Sequence, residues 1–203
     1  MTIPVVLRRE LAIRVASIAT LLAMGGAAQF ATAGEAIPTA SPARPSAIHV
    51  DLAQDWPWWR GPSHNGIANS EQHPPVTWSE SENIVWKANL PGRSHGAPII
   101  VGDQVVLTAA DHERKVQSIL CFDRKTGKQL WETVVHENGV DVKGNEKASM
   151  ASAAAACDGD RFFVNFLSGD SVYMTALDRQ GKKVWQTKLS AYVNHQGFGS
   201  SPL

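Results

Sequence analysis

The chain has 203 residues, 43% of them hydrophobic and 19% charged, and its 19 basic and 19 acidic side chains cancel to zero. That length allows one or two domains with a sizeable core. The balanced charge gives no basic excess for a nucleic-acid partner and no acidic block of the kind that stays unfolded.

Residues 1 to 33 have the layout of an export signal. Arg8, Arg9 and Arg14 precede an apolar run from Val15 to Ala28, and Ala31-Thr32-Ala33 fits the small-x-small cleavage rule. The expectation is a periplasmic or secreted protein with no stable membrane span once the signal is cleaved. Two alternatives stand beside it. Arg8-Arg9 raises a twin-arginine route, although Glu10 follows directly. An uncleaved anchor is the other, although Gln29 interrupts a run shorter than the roughly 20 apolar residues that span a bilayer. Gly34 to Val50 places Pro38, Pro42 and Pro45 among Ala and Ser with no hydrophobic period, the composition of an extended linker.

From Asp55 the chain turns aromatic, reading DWPWWRGPSHNGIA. Trp58, Trp59 and Arg60 have the chemistry to stack on a planar ligand or a sugar. The preferred reading is structural: the indoles pack on the fold, Trp78 joins them, and the chain turns at Gly61-Pro62 and Asn65-Gly66.

Strand signals then follow one another. Ile84 to Lys87 reads as a lone strand, and Pro91-Gly92 turns the chain toward the next. Ala97 to Val101, the turn Gly102-Asp103, and Val105 to Leu107 form a hairpin pattern. Asp111 to Lys115 is a charged hairpin tip. Ile119 to Phe122 is a short apolar run ending at Asp123, and a turn at Thr126-Gly127 leads to Leu130-Trp131. Val135 to Lys147 reads as a long loop covering one face. Ala148 to Ala156 has helical propensity through its alanines, but its place in the pattern predicts an inner strand. Asp158-Gly159, Phe162 to Val164, Ala176 to Asp178, Gly181 and Val184-Trp185 then repeat the earlier order. Trp131 and Trp185 lie 54 positions apart, and Asp123 and Asp178 lie 55 apart. Gly199 to Leu203 opens a third unit. Four strands per unit at such a period mean a propeller. Cys121 and Cys157 fall on buried strands of neighbouring units and are expected as free thiols.

Cys121, Asp123, Gly127 and Trp131, and again Ala176, Asp178, Gly181 and Trp185, resemble the tryptophan-docking motif of the pyrroloquinoline-quinone (PQQ) type propeller repeat. The first copy has Cys in the alanine place, and the second is one residue shorter between Asp and Gly. With the aromatic opening at Trp56 to Gly61, the chain resembles especially the secreted PQQ-like proteins of planctomycete-type bacteria. The resemblance implies an all-β fold, a partial β-propeller of four-stranded antiparallel blades. Whole blades are expected near 96–132 and 149–186, with a next blade from about 197, in an N-terminal fragment of a propeller of about eight blades. Ile84 to Lys87 would be the strand that closes such a ring.

The family spans quinone-dependent dehydrogenases and BamB-like scaffolds, so fold alone does not choose a function. The leading expectation is an exported propeller that binds a protein or small-molecule ligand, with no catalytic residue, no cofactor and no metal. The alternative is a quinoprotein dehydrogenase oxidising alcohols or sugars, which needs PQQ, a calcium ion with oxygen ligands and a carboxylate base. Asp158-Gly159-Asp160 reads as a hairpin turn and not as that calcium site. Carbohydrate recognition through the aromatic segment ranks next. His95, and His195 with Asn194 and Gln196, are weak ligand candidates near the channel mouth. No nucleophile motif or phosphate loop occurs.

Overall fold

A computed structural model describes residues 50–140, 148–195 and 197–203. The expected export signal and almost all of the linker lie outside the described residues, as does much of the loop ending at Lys147. Eight strands follow in chain order: β1 (Ile99–Val101), β2 (Gln104–Asp111), β3 (Val116–Asp123), β4 (Gln129–Glu137), β5 (Ala156–Cys157), β6 (Arg161–Ser168), β7 (Ser171–Asp178) and β8 (Lys183–Ala191). They form two four-stranded antiparallel sheets, β1-β2-β3-β4 and β5-β6-β7-β8. These are two propeller blades.

The turns that close the hairpins follow from residue type. Val101 pairs with Gln104 across Gly102-Asp103, and Ser168 pairs with Ser171 across Gly169-Asp170. Glycine holds the first central position in both, at φ 59° and 62°, which suits a two-residue hairpin of right-handed twist. The central strands carry the apolar period of two. Val106, Ile119 and Cys121 face the second blade, where they meet Phe162, Val164, Phe166 and Leu177. Leu107, Ala109, Leu120 and Phe122 face the other way, toward Trp86 and Ala88. β3 is therefore buried along both faces, as its unbroken apolar run predicts.

Two boundaries differ from the sequence reading. β4 continues to Glu137 and β8 to Ala191, so each blade runs past the expected 132 and 186. Val135 is buried in the shared core and Val134 pairs with Ser118, which pulls the start of the expected loop into the sheet. The alanine run is no helix, yet only Ala156 and Cys157 ladder with β6. Met150-Ala151 turns instead, because the Ala151 carbonyl is taken by the amides of His95 and Gly96. Those groups belong to the first blade's inner segment, so the run bonds sideways between blades before it bonds within its own sheet.

Candidate functional site

The repeat motif builds a socket between blades. Asp123 Oδ1 accepts from the Lys125 and Thr126 amides and from the Thr126 hydroxyl at 2.7 Å, tying the β3–β4 turn. The Thr126 hydroxyl, and next the Thr126 amide, hold this exposed carboxyl below its ordinary range. Asp178 Oδ1 does the same for the Gln180 and Lys182 amides, so the turn that is one residue shorter keeps its tie. The turn glycines, Gly127 (φ 70°) and Gly181 (φ 83°), sit in the left-handed region. An indole lies flat on each. A Cβ on Gly127 would meet Trp86 at 2.5 Å, and one on Gly181 would meet Trp131 at 2.6 Å. Trp86 Nε1 donates to the Arg124 carbonyl at 2.8 Å, and Trp131 Nε1 to the Arg179 carbonyl at 3.2 Å. Trp86 and Trp131 thus each dock in the turn of the blade that follows them. Cys121 and Ala176 lie opposite Trp131 and Trp185 in the ladder, which is why that motif place takes a small residue. Trp185 contacts Phe163 of its own blade and is 36% exposed.

At the inner edge, polar side chains hold one blade to the next. Thr108 Oγ1 donates to the Ala153 carbonyl at 2.9 Å, and Asn165 Nδ2 reaches the Ser200 carbonyl at 3.4 Å. Thr108 and Asn165 hold the same register in their sheets, so Ser200 is the third unit's counterpart of Ala153. Ser201 Oγ accepts from the Ala154 amide at 2.9 Å, which makes Gly199 to Pro202 the next inner segment. His95 and His195 are both exposed, and the His95 amide bonds the Ala151 carbonyl of the alanine run. In this register Gly199 is the counterpart of His95, and His195 lies upstream of that position. No group of three His, Cys, Asp or Glu able to hold a metal occurs among the described residues.

Several working residues gave no signal in the sequence. Arg179 follows the motif Asp and reaches across the blade boundary. Its Nε donates to Gln104 Oε1 at 2.6 Å, Nη2 to the Val101 carbonyl at 2.9 Å and Nη1 to the Gly159 carbonyl at 3.0 Å, while the guanidinium covers the Phe162 ring. Gln117 is fully buried and donates to the Met150 and Leu167 carbonyls. His136, on β4, packs against Phe166 and Tyr173 of the second blade. Burial there, and then the Lys183 charge, bring its pKa down to about 4, so it is neutral at pH 7. Cys121 and Cys157 are free and buried, as expected. Burial pushes their thiols up to about 12 and about 11, which removes the thiolate that metal binding or nucleophilic attack would need.

The aromatic opening is split in its behaviour. Asp55 and Pro57 are buried and Trp56 lies against Gly61, whereas Trp59 is 48% exposed beneath Arg60. Trp58 stacks on His64 with ring centroids 5.1 Å apart. Beyond it, Ile67, Val76, Trp78 and Val85 stand in solvent, Val76 at 93% exposure, on a chain with no strand assignment. Trp78 therefore does not join the packed indoles, contrary to the sequence reading. No prolonged ladder holds it near them; the Asn83 side chain merely closes a local loop on the Thr77 carbonyl. Among the described residues no helix is long and apolar enough to cross a membrane, which says nothing of β-barrels.

A family described as outer membrane protein assembly factor BamB matches residues 68–196 of this sequence. No curated protein matches it.

Proposed function

This chain belongs to the BamB-like family of PQQ-type repeat proteins, and from that premise we propose that it is an exported propeller scaffold that binds a protein partner and performs no chemistry of its own. The observation that carries the reading is the apolar arm, where Ile67, Val76, Trp78 and Val85 are all at least 68% exposed. Large apolar side chains held this far into solvent along one segment are available to a partner that covers them. A protein partner suits the arm better than a small ligand, because Val76, Trp78 and Val85 stand open to solvent, whereas small-ligand sites enclose most of their ligand. The export signal at residues 1 to 33 supports an extracytoplasmic setting, and the family's name points to assembly work at the outer membrane.

A photo-crosslinking residue at Trp78 or Val85, introduced in full-length protein in cells, is expected to trap a cell-envelope protein, whereas the same probe at exposed Glu113 traps none. Equal trapping at all three sites, or none, would overturn the reading. Adding PQQ and calcium to the full-length protein with an alcohol or sugar is expected to leave an acceptor dye oxidised; dye reduction would establish the dehydrogenase alternative instead.

A further inference from the structure

The segment Asp51–Pro57 bonds by its main chain to the inner edges of both blades. Trp56 and Ile100 exchange a pair of hydrogen bonds, Trp56 N to Ile100 O at 2.8 Å and Ile100 N to Trp56 O at 2.9 Å. This adds a one-residue antiparallel strand to β1. One residue earlier, the buried Asp55 carboxylate accepts from the Gly102 amide at 2.8 Å through Oδ1 and from the Asp51 amide at 3.0 Å through Oδ2. One residue later, the Pro57 carbonyl accepts from the Cys157 amide on β5 at 2.8 Å. Three consecutive residues thus take three main-chain amides, those of Ile100 on β1, Gly102 in the turn that follows it and Cys157 on β5. Such edges accept any extended segment of suitable register, since the recognition runs through backbone groups.

We infer that the inner edges of β1 and β5 form one strand-receiving groove for extended polypeptide, and that Asp51–Pro57 is a strap that keeps it filled, with Asp55 as its anchoring residue. Asp55 is the one side chain of the trio that bonds an edge amide itself, so its removal loosens the strap at both blades. Pro57 fits the last place because it presents a carbonyl and needs no partner for an N–H. The ligand class that competes is an extended peptide with an acid two residues before the carbonyl that meets β5. The inference deepens the scaffold reading by adding a second, main-chain site. It does not use the apolar arm, so crosslinking from Trp78 can fail while the strap behaves as stated, and the reverse.

Amide hydrogen exchange on the full chain tests it. In D55A the amides of Gly102, Ile100 and Cys157 are expected to accelerate together by about tenfold or more, with β3 and β7 unchanged. Adding a synthetic peptide of Asp51–Trp59 is expected to restore their protection, and a scrambled peptide is not. D55N keeps an acceptor oxygen and is expected to accelerate the same three amides by less; it serves as the readout if D55A does not fold. Acceleration at Gly102 alone, or three opened amides that the peptide leaves unprotected, would overturn the inference.

Discussion

The two blades carry the same motif and bury it to different depths. β4 of the first blade is partly covered, with Val135 buried, and Trp131 rests in the Gly181 turn of the second. β8 of the second is exposed along all nine residues, with Trp185 packed on Phe163 of its own blade. The arginines after the motif Asp differ in the same way. Arg179 spans the boundary to Val101 and Gln104, while Arg124 makes its guanidinium bond to Gly102 of its own blade at 3.4 Å. The motif is therefore a device for joining blades. Its Asp ties one turn, its Gly seats an indole from the segment before, and the Trp and the Arg that follows the Asp in the second copy gain most against a neighbour.

The largest test of that difference removes the indoles. Trp131→Ala is expected to cost about 3–5 kcal/mol in chemical unfolding, and Trp185→Ala less, about 1–3 kcal/mol in this chain, since its indole packs on Phe163 of its own blade and is part-exposed. Equal losses would break the comparison. Next come the turn glycines. Gly181→Ala forces a side chain into a left-handed backbone and into the Trp131 ring and is expected to lose about 2–4 kcal/mol. Gly169→Ala, at φ 62° with open space around it, isolates the backbone strain and should lose only about 1–2 kcal/mol.

A third comparison uses the arginines. Arg179→Met removes hydrogen bonds to two blades and is expected to cost about 1–3 kcal/mol, against less than about 0.5 kcal/mol for Arg124→Met, both read by thermal unfolding. The last test is that of pH. His136 has a folded pKa near 4 and an ordinary one of 6.5. Between those values the unfolded chain holds a proton that the folded chain does not, so stability is expected to fall as pH drops from about 6.5 toward 4. Partial exposure of the ring screens the effect to roughly 1–2 kcal/mol. His136→Gln should flatten that slope, and an unchanged slope would remove His136 as its source.

Much of the fold was legible because the signals were local. Gly102-Asp103, Thr126-Gly127 and the apolar runs of β2, β3, β6 and β7 each state their own conformation through turn chemistry and a period of two. The inner segment at 148–156 was less legible, because alanine suits helix and crowded strand alike, and what decided it was the pair of amides at His95 and Gly96. The site was barely legible. Asp55 looked like one polar residue before three indoles, and its partner Gly102 lies 47 positions away.

Sequence by itself determined which segments extend, where they turn, and that the unit recurs, since those depend on φ preferences and on side-chain alternation within a few residues. Which motif tryptophan is buried, which arginine clamps two sheets, and which strand edges the chain's own Asp-Trp-Pro occupies were decided only by tertiary structure. Each of these depends on a surface contributed from tens of residues away, and burial is a property of the pair that meets.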